Sequence, residues 1–339
     1  MCFFVMVRRQ SVGRLPPNQN LFRNTMDKLI IATRGSALAL WQANHIKSLI
    51  ERNHHIPVEL SIIKTKGDII LDVPLAQVGG KGLFVKEIEE SLLSGEADLA
   101  VHSIKDVPMD LPEGLVLAAV PEREDPADLL LSMRYVSLAE LPEGAKVGTS
   151  SLRRQAQLLG LRPDLRVVSL RGNVDTRLRK LTENQFDAIV MAASGMKRLG
   201  LSASCSSRLA PPEFLPAVGQ GALGIECRAD RADVLDLVRF LDHEETRLQI
   251  EAERGFSARL NGGCQAPIAA YARYEDGGLV LEGLIAALDG SEIIRRKLRQ
   301  LPGQSPRALG AAAAELALEA GGETILRHIL QTTNPAGQD

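Results

Sequence analysis

The sequence predicts an α/β protein: two successive α/β units followed by a smaller α+β domain. Three observations lead there. Short apolar runs alternate with segments whose apolar residues recur at helical spacing, from Lys28 to about Ala192, the order expected of sheets covered by helices. A local device occurs twice, a strand running into a hydroxyl- and arginine-bearing turn that opens a helix: Arg34-Gly35-Ser36, and later Thr149-Ser150-Ser151-Leu152-Arg153-Arg154. Beyond residue 260 the pattern changes to three strand-like runs separated by Asp276-Gly277-Gly278 and Asp289-Gly290, which are hairpin signals.

Taken in order, Lys28 to Thr33 reads as a buried strand, and a helix to about Arg52 places Ala39, Ala43, Ile46 and Ile50 on one face. Val58, Leu60 and Ile62 alternate as in a strand. Residues 66–82 are glycine-bearing and loop-like, and Phe84, Ile88 and Leu92 give a second amphipathic helix that Gly95 ends. Strands Ala97 to Val101 and Val116 to Val120 follow, then a charged crossover, Pro121 to Pro126. The second unit reads as strands 129–132, 146–148, 166–170 and 188–192 with helices 151–160 and 173–181. Pro211, Pro212 and Pro216 mark another break, after which Gly219-Gln220-Gly221 leads into the strand Ala222 to Cys227, expected to return to the first unit. Helices 231–242 and 244–259, strands Ile268 to Ala272, Leu279 to Ala287 and Glu292 to Leu298, and helices 306–320 and 322–331 complete the chain. The expected domains are 26–121 with 221–240, then 122–220, then 241–332. Residues 1–25 do not share the pattern and read as a disordered extension or an overextended start, and 333–339 as a frayed tail.

Bulk properties narrow the function. A net charge of −2 and an aromatic content of 4% argue against nucleic-acid binding. No run approaches the roughly 20 apolar residues of a membrane span. Cys2, Cys205, Cys227 and Cys264 are far apart, with no CxxC and no histidine at ligand spacing, so a reduced cytoplasmic chain without a metal site is expected. Cys227 ends an apolar strand, whereas Cys205 falls in a serine-rich loop.

The stretch Val101-His102-Ser103-Ile104-Lys105-Asp106-Val107-Pro108 puts a hydroxyl, an ammonium and a carboxylate at a strand end, where α/β folds bind ligands. By itself it also reads as a solvated Lys-Asp turn. Ser36, Thr149 and Ser151 stand at helix starts, where hydroxyls cap the backbone and free N–H groups attract anions. Arg153 and Arg154 in a first helical turn oppose the helix dipole, which a bound anion would explain. Arg34, Arg171 and Arg177 follow the same strand-end logic, and arginine suits planar carboxylates and phosphates; surface pairing with acidic residues is the plain alternative. The loop carrying Lys81 lacks the spacing of a phosphate-binding GxxxxGK[ST] loop. Cys264, between Gly262-Gly263 and Gln265-Ala266-Pro267, lies in a loop and is open as a nucleophile, an attachment point or neither.

From about residue 28 to 331 the chain resembles the porphobilinogen deaminase (hydroxymethylbilane synthase) family. The matching motifs are Arg34-Gly35-Ser36, Val78 to Phe84, Val101 to Pro108, Gly148 to Gln155, Leu170 to Asn173, Pro216 to Gly221 and Asn261 to Pro267, in order. The resemblance implies two domains like the halves of a type II periplasmic binding protein and a third bearing a cofactor. It implies a dipyrromethane attached by a thioether to Cys264, to which four porphobilinogen units are added with loss of ammonia before a linear tetrapyrrole is hydrolysed off. Asp106 matches the catalytic aspartate. Ser103, Lys105 and Arg198 match carboxylate-binding residues, Lys81 and Phe84 a mobile active-site loop, and Gln220 a hinge residue. A monomer acting on porphobilinogen and the growing oligopyrrole, with no nucleic-acid or membrane partner, is the expectation. Gln77 departs from the family pattern, standing where many relatives have Lys. The competing class is a non-catalytic two-lobed binding protein for a small polycarboxylate, which would need neither Asp106 nor Cys264.

Overall fold

The computed structural model describes residues 27–69, 82, 85–261 and 266–333. Among these residues are two five-stranded sheets and one three-stranded sheet. In the first, strands β1 (Leu29–Arg34), β2 (Val58–Ile63), β3 (Leu99–Ser103), β4 (Leu115–Ala119) and β10 (Leu223–Arg228) lie in the order β2-β1-β3-β10-β4. In the second, β5 (Asp128–Ser132), β6 (Lys146–Gly148), β7 (Arg166–Val168), β8 (Ala188–Ala192) and β9 (Cys205–Leu209) lie in the order β7-β6-β8-β5-β9. The two orders are the same plan. Each sheet has one strand antiparallel to its neighbours, β10 in the first and β5 in the second. In each case that strand follows a crossover from the other lobe. This is the arrangement of a two-lobed α/β fold with a smaller C-terminal domain.

Helices cover both faces. Helix α1 (Ala37–His54) starts where Ser36 caps it, the hydroxyl accepting from the Ala39 N–H at 3.3 Å. Its buried face, Gln42, Ala43, Ile46 and Ile50, packs with Leu29, Ile31, Leu99 and Val101 of the sheet. Helix α2 (Lys86–Ser94) buries Ile88 and Leu92 on the other side. In the second lobe α3 (Leu152–Leu161), α4 (Val174–Thr182) and α5 (Ala193–Leu199) follow β6, β7 and β8. Helix α5, strand β9 and the one-turn helix Lys66–Ile69, in a stretch read as loop-like, were not foreseen. Cys205 therefore lies in a strand rather than a loop. Its run Cys-Ser-Ser-Arg-Leu is an edge strand that, among the described residues, pairs only with β5, and edge strands are polar enough to look like loops in sequence.

Helices α6 (Ala232–Val238) and α7 (Glu244–Arg259) lead to the third sheet, an antiparallel meander of β11 (Ile268–Glu275), β12 (Gly278–Ala286) and β13 (Ile293–Arg299). Helices α8 (Pro306–Ala317) and α9 (Glu323–Thr333) close it. Phe256 of α7 is fully buried in this core with Leu281, Ile285, Leu309 and Ala313.

The two crossovers run against each other. Gly221, at φ +90°, would place a side chain 2.3 Å from the Glu124 carbonyl oxygen, so only a glycine allows this approach. Glu253 of α7, fully buried, binds both crossovers to the third domain. It receives Arg123 Nη1 at 2.6 Å, the Gly219 N–H at 2.7 Å and the Ala272 N–H at 2.9 Å. Breaking a buried pair of this kind costs about 3–5 kcal/mol, because the remaining charge is left in a low-dielectric site.

Candidate active site

The C-terminal ends of the parallel strands of both lobes face one cavity of about 1040 Å³. That is near the upper end of ordinary ligand sites, ~300–1,000 Å³. From the first lobe come Arg34 and Ser36 after β1, Lys64 after β2, and Ser103, Lys105 and Asp106 after β3. From the second come Ser150, Arg154, Arg171, Arg177, Lys180, Ser194 and Arg198. Among the described lining residues eight are Lys or Arg and only two, Asp106 and Asp175, are carboxylates.

Asp106 is the last residue of a short 3-10 turn, Ile104–Asp106, that continues β3. The turn is pinned from behind: Ile104 is fully buried and its N–H donates to the Ala222 carbonyl at 3.1 Å. Pro108 prevents a longer helix. Asp106 itself is exposed to the cavity. Beside it, burial pushes the Lys105 ammonium down, Asp106 opposing and Arg154 adding to the fall. The Ser103 hydroxyl accepts from Gln42 Nε2 at 2.9 Å. Gln42, buried on α1, is thus a supporting residue that the sequence reading did not mark.

Opposite, Arg177 donates through Nε to the Gly172 carbonyl at 2.8 Å. Burial, then Arg154 and Arg171, lower its pKa to about 10, against Asp106; it stays charged at neutral pH. Arg198 joins the lobes: Nη2 donates to the Gly221 carbonyl at 2.7 Å, and its guanidinium lies 5.9 Å from the ring centre of Trp41 on α1.

Three expected residues stand apart from the lining. Arg153 is buried, with Nη1 donating to the Leu215 carbonyl at 2.7 Å and Nη2 2.8 Å from Asp128 Oδ2. The anion that offsets its unfavourable place in the helix is Asp128, an internal carboxylate distant in sequence. Thr149 is buried and accepts from the Ser151 N–H at 3.2 Å, while Ser151 caps α3. Those two hydroxyls are spent on backbone; Ser150 lines the cavity, its own hydroxyl donating to the Leu170 carbonyl at 2.9 Å. Arg154 lines the cavity but is also tied to Asp128, through Nη2 at 2.6 Å and Nε at 3.2 Å. Burial would raise the Asp128 pKa, but Arg153 and Arg154, with hydrogen bonds from Arg154 and Gln220, outweigh it and hold it at about 2. Gln220 is buried at the crossovers, where Nε2 donates to the Pro126 carbonyl at 2.7 Å and Asp128 Oδ1 at 2.9 Å.

Sequence reasoning missed Lys64 and Lys180. Lys64 obeys the strand-end rule that marked Arg34, and Lys180 lies three residues after Arg177 on α4, one helical turn along the same face. Lys81, Phe84 and Cys264, with Gln77, lie outside the described residues. Among those described, no group of three or more His, Cys, Asp or Glu could hold a metal ion, and no helix is long and apolar enough to cross a membrane.

The family description "Porphobilinogen deaminase, dipyromethane cofactor binding domain" matches residues 29–236, and "Porphobilinogen deaminase, C-terminal domain" matches 247–319. The chain belongs to the porphobilinogen deaminase family. A curated porphobilinogen deaminase from Nitratidesulfovibrio vulgaris is 65% identical over 306 residues, 88% of this chain and 96% of that one. Another, from Lawsonia intracellularis, is 58% identical over 303 residues, 89% of this chain and 98% of that one. Among solved structures, the methionine-binding protein MetQ is similar at 14% identity and a TM-score of 0.42, covering 65% of this chain and 92% of that one. The first porphobilinogen deaminase match spans both five-stranded sheets and so contains every described residue of the cavity.

Proposed function

We propose that this chain is a hydroxymethylbilane synthase, a transferase of tetrapyrrole biosynthesis that condenses four porphobilinogen molecules with release of ammonia. The observation that carries the reading is the charge pattern of the cavity, a single turn-borne carboxylate, Asp106, among cations from both lobes. Each pyrrole of the substrate brings two carboxylates, which the arginines and lysines can hold by charge-assisted hydrogen bonds. Asp106 has the opposite task. It accepts hydrogen bonds from pyrrole N–H groups and stabilises the positive charge that develops as ammonia leaves.

The dipyrromethane that the family domain is named for fits the donor set: cations for its side-chain carboxylates and one carboxylate for its N–H groups. When bound it supplies the primer to which units are added. We assign its thioether to Cys264, Lys81 and Phe84 to a loop over the site, and Gln220 to the hinge. Roles in holding substrate carboxylates fall to Arg34, Ser36, Ser103, Lys105, Arg154, Arg171, Arg177 and Arg198. The three sheets support a division into domains of 26–121 with 221–240, 122–220 and 241–332. A cytoplasmic monomer is proposed with it, the free thiols of Cys205 and Cys227 suiting a reducing compartment.

Turnover of porphobilinogen by the purified enzyme tests the reading. Asp106→Asn keeps shape and removes the charge, so the holoenzyme should fold and bind substrate while its rate falls on the order of 10²–10³-fold, the usual loss of an electrostatic stabiliser. Near-normal turnover in that variant would remove Asp106 from the chemistry.

A further inference from the structure

We infer that Arg254 is a positioning residue for the reaction, a guanidinium of the third domain that fixes the turn carrying Asp106. The inference rests on the reading of Asp106 as the catalytic carboxylate. Arg254 lies on α7, ten residues before Cys264. Its Nη2 donates to the carbonyls of Pro108 at 2.6 Å and Met109 at 2.9 Å, and Nη1 reaches the Val107 carbonyl at 3.4 Å. These are the three carbonyls that directly follow Asp106.

The turn cannot satisfy those carbonyls itself. Its internal bond, from the Val107 N–H to the Ile104 carbonyl at 3.0 Å, lies on the upstream side. Pro108 has no N–H and keeps Val107 out of helical conformation. Among the described residues no backbone N–H donates to the carbonyls of Val107, Pro108 or Met109. A partly buried carbonyl needs a partner, and the rigid five-donor fork of one guanidinium serves all three. A lysine ammonium can aim at one or two but does not fix their mutual geometry.

Arg254 is not another substrate cation. It does not line the cavity, and both of its Nη groups donate to backbone oxygens. Burial, then neighbouring Arg307, lower its pKa, while Asp110 and Glu226 oppose the fall. The residue before it, Glu253, binds both crossovers, so one turn of α7 holds the catalytic turn and the junction between lobes. Arg254 thus ties α7 of the third domain to the backbone that follows Asp106.

A double-mutant cycle on cofactor-loaded enzyme separates this from a general structural role. Arg254→Met and Arg254→Lys are each made in the wild-type and the Asp106→Asn background, and single-turnover rates are measured. Misplacement of a catalytic group by about 1 Å can cost on the order of 10²-fold. Arg254→Met in the wild-type background should thus lower kcat roughly 10–100-fold with KM changed by less than about threefold. Arg254→Lys should recover part of the loss, and in the Asp106→Asn background the Met variant should cost less than about threefold, since the group it positions is gone. A loaded Arg254→Met enzyme within about twofold of wild type, or an equal fold-loss in both backgrounds, would overturn the inference. A near-normal Asp106→Asn parent would instead sink the reading of Asp106. If Arg254→Met fails to load cofactor, amide exchange in Arg254→Lys decides: faster exchange at Val107 supports the clamp, and unchanged protection across 104–110 refutes it.

Discussion

Asp128→Asn removes one oxygen's charge at the point where the second lobe is most densely wired. Asp128 opens β5, is buried, and accepts from Arg154 at 2.6 Å and Gln220 at 2.9 Å while its other oxygen lies 2.8 Å from Arg153. The asparagine has the same shape but leaves two buried guanidinium groups facing a neutral amide. The titration alone gives an order of magnitude. A carboxyl held at about 2 in the folded state against ~3.9 when unfolded is worth on the order of 2 kcal/mol. Leaving buried charge without its partner raises the loss to about 3–5 kcal/mol. The sign follows from the depressed pKa. The stabilisation is fully present above the unfolded value near 4 and is lost as pH falls toward 2. Denaturant unfolding of the loaded enzyme, wild type against variant, measures it at pH 7 and again at the lowest pH where both fold. The gap should be large at pH 7 and shrink below about pH 4. A loss under about 1 kcal/mol at pH 7, or a gap that does not move with pH, would refute the view that Asp128 is the counter-ion of this pair.

Arg177→Leu and Lys180→Leu each remove a cavity cation carried on α4, so both should fold, bind the first pyrroles and stall at later additions; mass spectra of the covalent complexes would reveal the stall, and a wild-type distribution would contradict it. Gly219→Ala places a side chain 2.3 Å from Ile104 Cγ2 at φ +71°. It should cost about 1–3 kcal/mol and slow turnover through the turn behind Asp106; an unchanged Tm would show that the crossover can shift without penalty.

The sequence carried the parallel strands and their helices because apolar periodicity is local. Strand 222–227 could be assigned to the first lobe since it follows a crossover so closely, and β10 lies there between β3 and β4. The polar edge strand β9 and the seven-residue helix α5 were hidden, as neither has the length or contrast to stand out. At the site, strand-end position marked Arg34, Asp106, Arg171 and Arg177, which the cavity gathers. It could not separate Arg154 from Arg153, adjacent residues of which one faces the cavity and the other the interior. That difference is set by Asp128, 25 residues before Arg153 in the chain, and by the Leu215 carbonyl, 62 residues after it. Lys64 and Lys180 were legible by rules already applied to their neighbours. The clamp of Arg254 on Val107 to Met109 was not legible, because nothing in sequence shows which carbonyls a distant helix meets.

The central claim is a covalent pyrrole primer in a basic cleft. Intact mass of the purified chain tests it most directly. The account predicts a mass excess of one dipyrromethane on the wild type, absent from Cys264→Ser and retained in Asp106→Asn. A fully folded wild type at its unmodified mass, able to turn over porphobilinogen, would contradict it.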